Sequence, residues 1–171
     1  NYILKFEILS TIFVIILGTL LHFTYKWSGG NFFVSLFSAM NESTWEHLKL
    51  LFFPMLISTI IGFFYKGKVI PNYLCAKVLG IILAMSFVVI FFYTYVGIIG
   101  TNFAIVDIGS FFIAVGLGQY VAYQKMQSTS SCSNVIPIII LLVLCSCFLI
   151  FTFFPLHIAL FEDPIIGSFG I

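Results

Sequence analysis

The side chains in this chain best suited to holding a metal ion or moving a proton are His22, Glu42, Glu46, His47, Asp107 and His157. Imidazole nitrogens and carboxylate oxygens are the usual ligands of zinc-like ions. A site with three such ligands and one open position activates a bound water. The same groups serve as general acids and bases. Glu46, Asp107 and Glu42 are the candidate catalytic carboxylates. His22, His47 and His157 are the candidate metal ligands or proton carriers, and the implied cofactor is a divalent metal such as zinc. Spacing alone does not make the site: Glu42-x-x-x-Glu46-His47 is neither His-Glu-x-x-His nor Glu-x-x-His. No serine sits in a diagnostic turn for a nucleophilic triad. Any convergence must come from the elements that carry these residues.

Composition sets what those elements are. Apolar residues make up 61% of the chain and charged residues 8%, against about 25% charged in a soluble domain. Mean hydropathy is +1.19. Repeated apolar runs of about 20 residues therefore read as membrane spans. The 22 phenylalanines suit a lipid-facing surface. Net charge is only +1, so the implied partner is the lipid bilayer and not nucleic acid. Every basic residue is a lysine, which removes the bidentate guanidinium fork used to grip phosphate. Cys75, Cys132, Cys145 and Cys147 offer no disulfide framework by spacing. They read as small core residues.

The expected fold is all-α: a single integral-membrane helical bundle over 1–171 with about five transmembrane helices. The spans fall at about 3–25, 44–65, 73–99, 103–123 and 135–154. A short interfacial helix is expected at about 31–40, where Phe32, Phe33, Leu36, Phe37 and Met40 recur at helical spacing after Ser28-Gly29-Gly30. Pro54 is expected to kink the second span, and Pro155 to end the fifth. The tail, 156–171, is too short and too polar to cross. The apolar run Ile8 to Tyr25 is longer than that of a signal peptide, so it reads as a retained first helix.

Five spans place Lys5, Lys66, Lys68, Lys77 and Lys125 on one side, with Lys26 and Lys49 toward the other. The positive-inside rule then predicts a cytoplasmic amino terminus and an outer tail. The same count brings every histidine, and every carboxylate except Glu7, to the outer face. No ionisable residue stands out deep in the inner half of spans two to five, which counts against a transport path.

Several of these residues also have plain structural uses. Ser43-x-x-Glu46 is a capping-box pattern, and Asn41 is a second candidate cap. Trp45 suits an interface anchor. Glu42, Glu46 and Lys49 share one helical face, with His47 about 100° around the axis. Asp107, Ser110, Ala114 and Gly118 form a small-residue stripe against which another helix can pack. His22 lies on a similar stripe with Thr11, Gly18 and Tyr25.

The stretch Asn41-Glu42-Ser43-Thr44-Trp45-Glu46-His47-Leu48-Lys49 is accompanied by His22-Phe23-Thr24-Tyr25 upstream and by Pro155-Leu156-His157 and Asp163-Pro164 in the tail. Together they resemble an uncharacterised family of small bacterial multi-pass membrane proteins with an Asn-Glu-Ser-x-Trp-Glu-His motif. The resemblance covers most of the chain and implies a bacterial inner-membrane location. It brings no activity or substrate, and the acidic Glu162 departs from the more basic tail of that family. Three functional readings stand: a membrane-embedded, metal-assisted enzyme, a non-catalytic accessory subunit, and a small transporter or ion-binding protein.

Overall fold

The computed structural model describes residues 2–170. Asn1 and Ile171, the last residue of the expected tail, lie outside the described residues. The chain is all-helical: α1 (Tyr2–Trp27), α2 (Phe32–Ser35), α3 (Thr44–Tyr65), α4 (Tyr73–Ile99), α5 (Ala104–Met126) and α6 (Val135–Phe153). Single 3-10 turns lie at Gly67–Val69 and Ala159–Phe161. All but α2 are long and apolar enough to cross a membrane, by length and composition. The expected interfacial helix contracts to one turn. Asn31 caps it by accepting the Phe33 N–H, the helix ends at Ser35, and Ser35 and Ser38 are both buried.

Small residues set the closest crossing. Ala76, Gly80 and Ala84 on α4 face Ala114, Gly118 and Ala122 on α5, each set at four-residue spacing and buried. A Cβ added to Gly118 would lie 2.6 Å from the Gly80 carbonyl oxygen, so only glycine lets the two backbones meet. A second close approach joins α1 to α3. Pro54 has no N–H to offer the Leu50 carbonyl one turn earlier, and that carbonyl faces Gly18 of α1, where a Cβ would collide with it. α3 nevertheless continues as one helix through Pro54.

The outside of the bundle is apolar. Ile8, Ile12 and Ile16 of α1 and Ile136, Ile139, Leu142 and Ile150 of α6 are all exposed. Continuous apolar faces of this kind suit a lipid or protein surround.

Successive long helices alternate in direction, giving the bundle a histidine end and a lysine end. At the lysine end a polar cluster is buried. Lys77 of α4 sits 2.6 Å from the Glu7 carboxylate of α1 and donates to Gln119 Oε1 of α5 at 3.0 Å. Gln119 donates in turn to the Ser10 hydroxyl at 2.8 Å, and Ser10 bonds Ser58 of α3. This corrects the grouping of Lys77 with the lysines that flank the loop between spans two and three. With it goes the expectation that no ionisable residue lies deep in the inner half of spans two to five. Lys77 is a full turn inside α4 on its buried face, and a charge there persists because a counter-charge meets it.

A second correction concerns the cysteines. Cys75 and Cys132 form a disulfide, Cα–Cα 6.4 Å, tying the start of α4 to the loop before α6. Their separation of 57 residues carried no signal of it. Cys145 and Cys147 are free.

Replacing Lys77 with Met should strand the Glu7 carboxylate and cost about 3–5 kcal/mol. Adding Glu7→Gln should recover most of that loss. Thermal midpoints in detergent measure both, and an unchanged midpoint in the single variant would show that the pair does not hold the bundle.

Candidate metal centre

The amino end of α3 organises the histidine end. Ser43 is the observed cap: its hydroxyl accepts the Glu46 N–H at 3.3 Å, at extended backbone geometry. Asn41 does not cap the helix. Its side-chain oxygen accepts the Ser43 N–H at 3.0 Å, and its amide donates to the Gly170 carbonyl at 3.1 Å. Nor does Glu46 close a capping box onto Ser43. Its carboxylate accepts the Met40 N–H at 3.0 Å and pairs with the Lys49 ammonium at 2.7 Å. Lys49 also donates to the Ser35 carbonyl at 3.0 Å. Glu46 and Lys49 are both buried, so this pair fastens the α2 segment beneath the start of α3.

Glu42 does not share that face. It precedes the cap, where the backbone is extended, so helical spacing does not apply to it. Glu42 turns instead toward His47, with Oε2 at 3.4 Å from Nε2. The His47 Nδ1–H donates to the Ser43 carbonyl at 2.9 Å, since a carbonyl can only accept. That bond fixes the ring and aims Nε2 at Glu42, the arrangement found in metal-ligating histidines. The His22 ring on α1 lies 5.3 Å from the His47 ring, centroid to centroid. His22, Glu42 and His47 offer ligand atoms all within 4.8 Å of one another. Ligands of a tetrahedral ion with bonds of about 2.0 Å stand about 3.3 Å apart, so small rotamer changes would close this triad on one ion. The hydrogen bond from His47 holds the Glu42 carboxyl below the usual carboxylate range, against the opposing effect of burial.

The triad stands at the mouth of a cavity of about 360 Å³ between α1, α3, α4 and α5. Asp107 lines the same cavity. Its carboxylate accepts the Tyr95 hydroxyl of α4 and the Asn102 amide, the latter at 3.3 Å. Deeper in, the walls are Gly18, Leu50, Leu51, Val88 and Phe111. Ser110 also lines the wall, whereas Ala114 and Gly118 lie further along the α4–α5 contact.

Of the candidate carboxylates and histidines, the fold therefore brings His22, Glu42, His47 and Asp107 to one cavity. Glu46 is turned away into its ion pair. His157 is exposed in the tail and packs on Phe169, 4.9 Å between centroids. Trp45 is not an interface anchor. It is buried among Phe148, Phe151 and Phe161, the last supplied by the tail folding back.

Asp163 carries the fold-back and was missed. Buried, it accepts the Glu42 N–H at 3.0 Å through one oxygen and the Ile165 N–H at 2.8 Å through the other. The Asp163-Pro164 turn signature was the available clue. Tyr95 and Asn102 left no clue, because their contact with Asp107 depends on how α4 turns into α5.

The fold and site define a bundle of five long apolar helices with a histidine–carboxylate cavity at one end. The chain belongs to a family of unknown function, DUF6512, whose sequence model matches residues 2–171. Comparison with curated proteins and with solved structures gave no match.

The two acids on either side of the Ser43 cap should separate cleanly. Glu46→Gln leaves Lys49 buried without its partner and should cost about 3–5 kcal/mol. Glu42→Gln, at a partly exposed pair, should cost no more than about 1 kcal/mol. Equal losses in thermal midpoint would contradict this division of roles.

Proposed function

We propose that the chain is an integral membrane protein whose histidine end binds a divalent metal such as zinc and uses it for hydrolysis or group transfer at the membrane surface. One observation carries this reading: His22, Glu42 and His47 converge from two elements and a loop to within coordinating range. A His–His–carboxylate set with an open fourth position is the pattern of catalytic zinc. Asp107, across the same cavity, is the candidate base for a metal-bound water. In that role its carboxylate would hold a proton between the attacking water and the leaving group, while a bound ion would supply Lewis acidity at His22, Glu42 and His47.

The location we infer is a bacterial inner membrane, with the lysine end cytoplasmic. The Cys75–Cys132 disulfide at that end argues the other way, since such bonds persist in oxidising compartments. With the buried Lys77 and Lys49 left out, Lys5, Lys66, Lys68 and Lys125 at that end stand against Lys26 at the other, and the inference follows this excess.

The accessory reading draws support from the Glu46–Lys49 and Glu7–Lys77 pairs, which serve packing. It leaves the cavity and its triad without a use. A transport reading draws support from the buried Glu7–Lys77 pair, ionisable groups of the kind that mark ion paths. The metal reading is preferred for the convergence of His22, Glu42 and His47.

Protein purified in detergent and offered zinc should retain about one ion per chain by elemental analysis, as a three-ligand site with an open position implies. His22→Ala, Glu42→Ala and His47→Ala should each abolish retention, and His157→Ala should not. Acid should release the ion as the imidazoles protonate. Zinc retained equally by all four variants would sink the assignment.

A further inference from the structure

The cavity's shape and charge say more than that a metal fits at its mouth. Resting on the metal reading above, we propose that the site takes a neutral, single-chain acyl amphiphile. Its ester or amide carbonyl would lie at the His22–Glu42–His47 triad, with its chain running down between α1 and α5.

Polarity in the cavity is segregated along its length. The ionisable residues His22, Glu42, His47 and Asp107 stand at the mouth, and the rest of the lining is mainly apolar, interrupted by the uncharged Thr19, Thr44, Asn102 and Ser110. The floor lies where Gly18 lets the Phe111 ring and the Leu50 carbonyl close on α1. A water-soluble substrate would gain nothing from that apolar wall, whereas the methylenes nearest the head of an acyl chain would be buried there, the lining from His22 to Gly18 rising about 6 Å along α1.

The side walls indicate the route of entry. Thr19 and Phe23 on α1 and Ile108 and Phe112 on α5 line the cavity while remaining exposed on the outside of the bundle. The seam between α1 and α5 therefore opens sideways, at the depth where lipid chains lie. The aqueous side is covered in part, the Glu42 and His47 side chains keeping about a third of their surface exposed. Pro164 and Ile165 roof the mouth, held by Asp163 on the Glu42 backbone.

Charge selects the head group. No lysine lines the cavity, and its ionisable groups are the two histidines and two carboxylates. With neutral imidazoles and a divalent ion the site sums to zero. Lys26, exposed at the end of α1, acts on His22 and Glu42 from outside the cavity lining, where water screens it. Inside the cavity a phosphate head would meet no cation beyond the shared metal and would face Asp107. A neutral ester or amide leaves that balance intact and offers the metal a carbonyl oxygen.

The test uses the zinc-loaded full chain in nanodiscs and a monoacylglycerol with a photoactivatable diazirine on its chain, mapped by peptide mass spectrometry. Labelling should concentrate on residues 18–23 of α1 and 108–112 of α5. Excess monooleoylglycerol should reduce it about tenfold, and oleoyl lysophosphatidate should not. Thr19→Trp and, independently, Ile108→Trp should block the seam and abolish the label while zinc content stays at the wild-type level. Label spread over outward residues such as Ile12 and Ile16 and indifferent to both variants would overturn the proposal, as would equal competition by the anionic lipid. Zinc bound without cavity labelling would remove the amphiphile and leave the metal reading standing. Cavity labelling in a chain that binds no zinc would remove the metal reading and, with it, the charge argument for a neutral head.

Discussion

A buried carboxylate in an apolar bundle must be neutralised, and Glu46 is neutralised by Lys49 one turn further along the same helix. The rest of the histidine end depends on that pairing. Because Lys49 also reaches the Ser35 carbonyl and Glu46 takes the Met40 N–H, the segment between α2 and α3 has one place to lie. With Glu46 committed inward, the extended Ser43 turns the preceding Glu42 to the other side, where His47 meets it. A residue suited to catalysis thus works as an anchor, and its neighbour four positions earlier takes the exposed role.

The cavity has an equally local cause. Helices without large side chains at their contact can approach until backbone meets backbone. Gly80 and Gly118 do this for α4 and α5, and Gly18 does it for α1 against α3. Near the histidine end the facing residues are instead Phe23, Phe92, Ile108 and Phe112. Bulky side chains hold the helices apart, and the space between them is the cavity. Phe161 and Asp163 then draw the tail across its mouth, one by burial beside Trp45 and the other by hydrogen bonds.

Much of this was legible in the residues. Five apolar runs gave five long helices, because only an unbroken helix satisfies every backbone group in an apolar setting. The stripe of Ser110, Ala114 and Gly118 pointed to a buried face. Helical spacing misled at Glu42, where the helix had not begun, and grouping Lys77 with the loop lysines by span count missed its partner on another helix. The Cys75–Cys132 disulfide and the Asp163 bond to the Glu42 backbone join positions far apart in the chain, so no local pattern contained those pairings, although the Asp163-Pro164 turn itself was legible.

The candidate histidines and carboxylates were all named from the sequence, since residue type limits which side chains can hold a metal or a proton. Alternating direction of the apolar runs put the acids and histidines at one end, because each crossing reverses the side on which the next loop falls. Which of them share a cavity was decided only by tertiary structure. His22, Glu42, His47 and Asp107 are brought together by helix rotation and by one extended residue before a cap. Glu46 and His157 are taken out of reach by an ion pair and by a ring contact in the tail. Chain order specifies helix length and position, but the rotation of each helix about its axis is set by what it packs against.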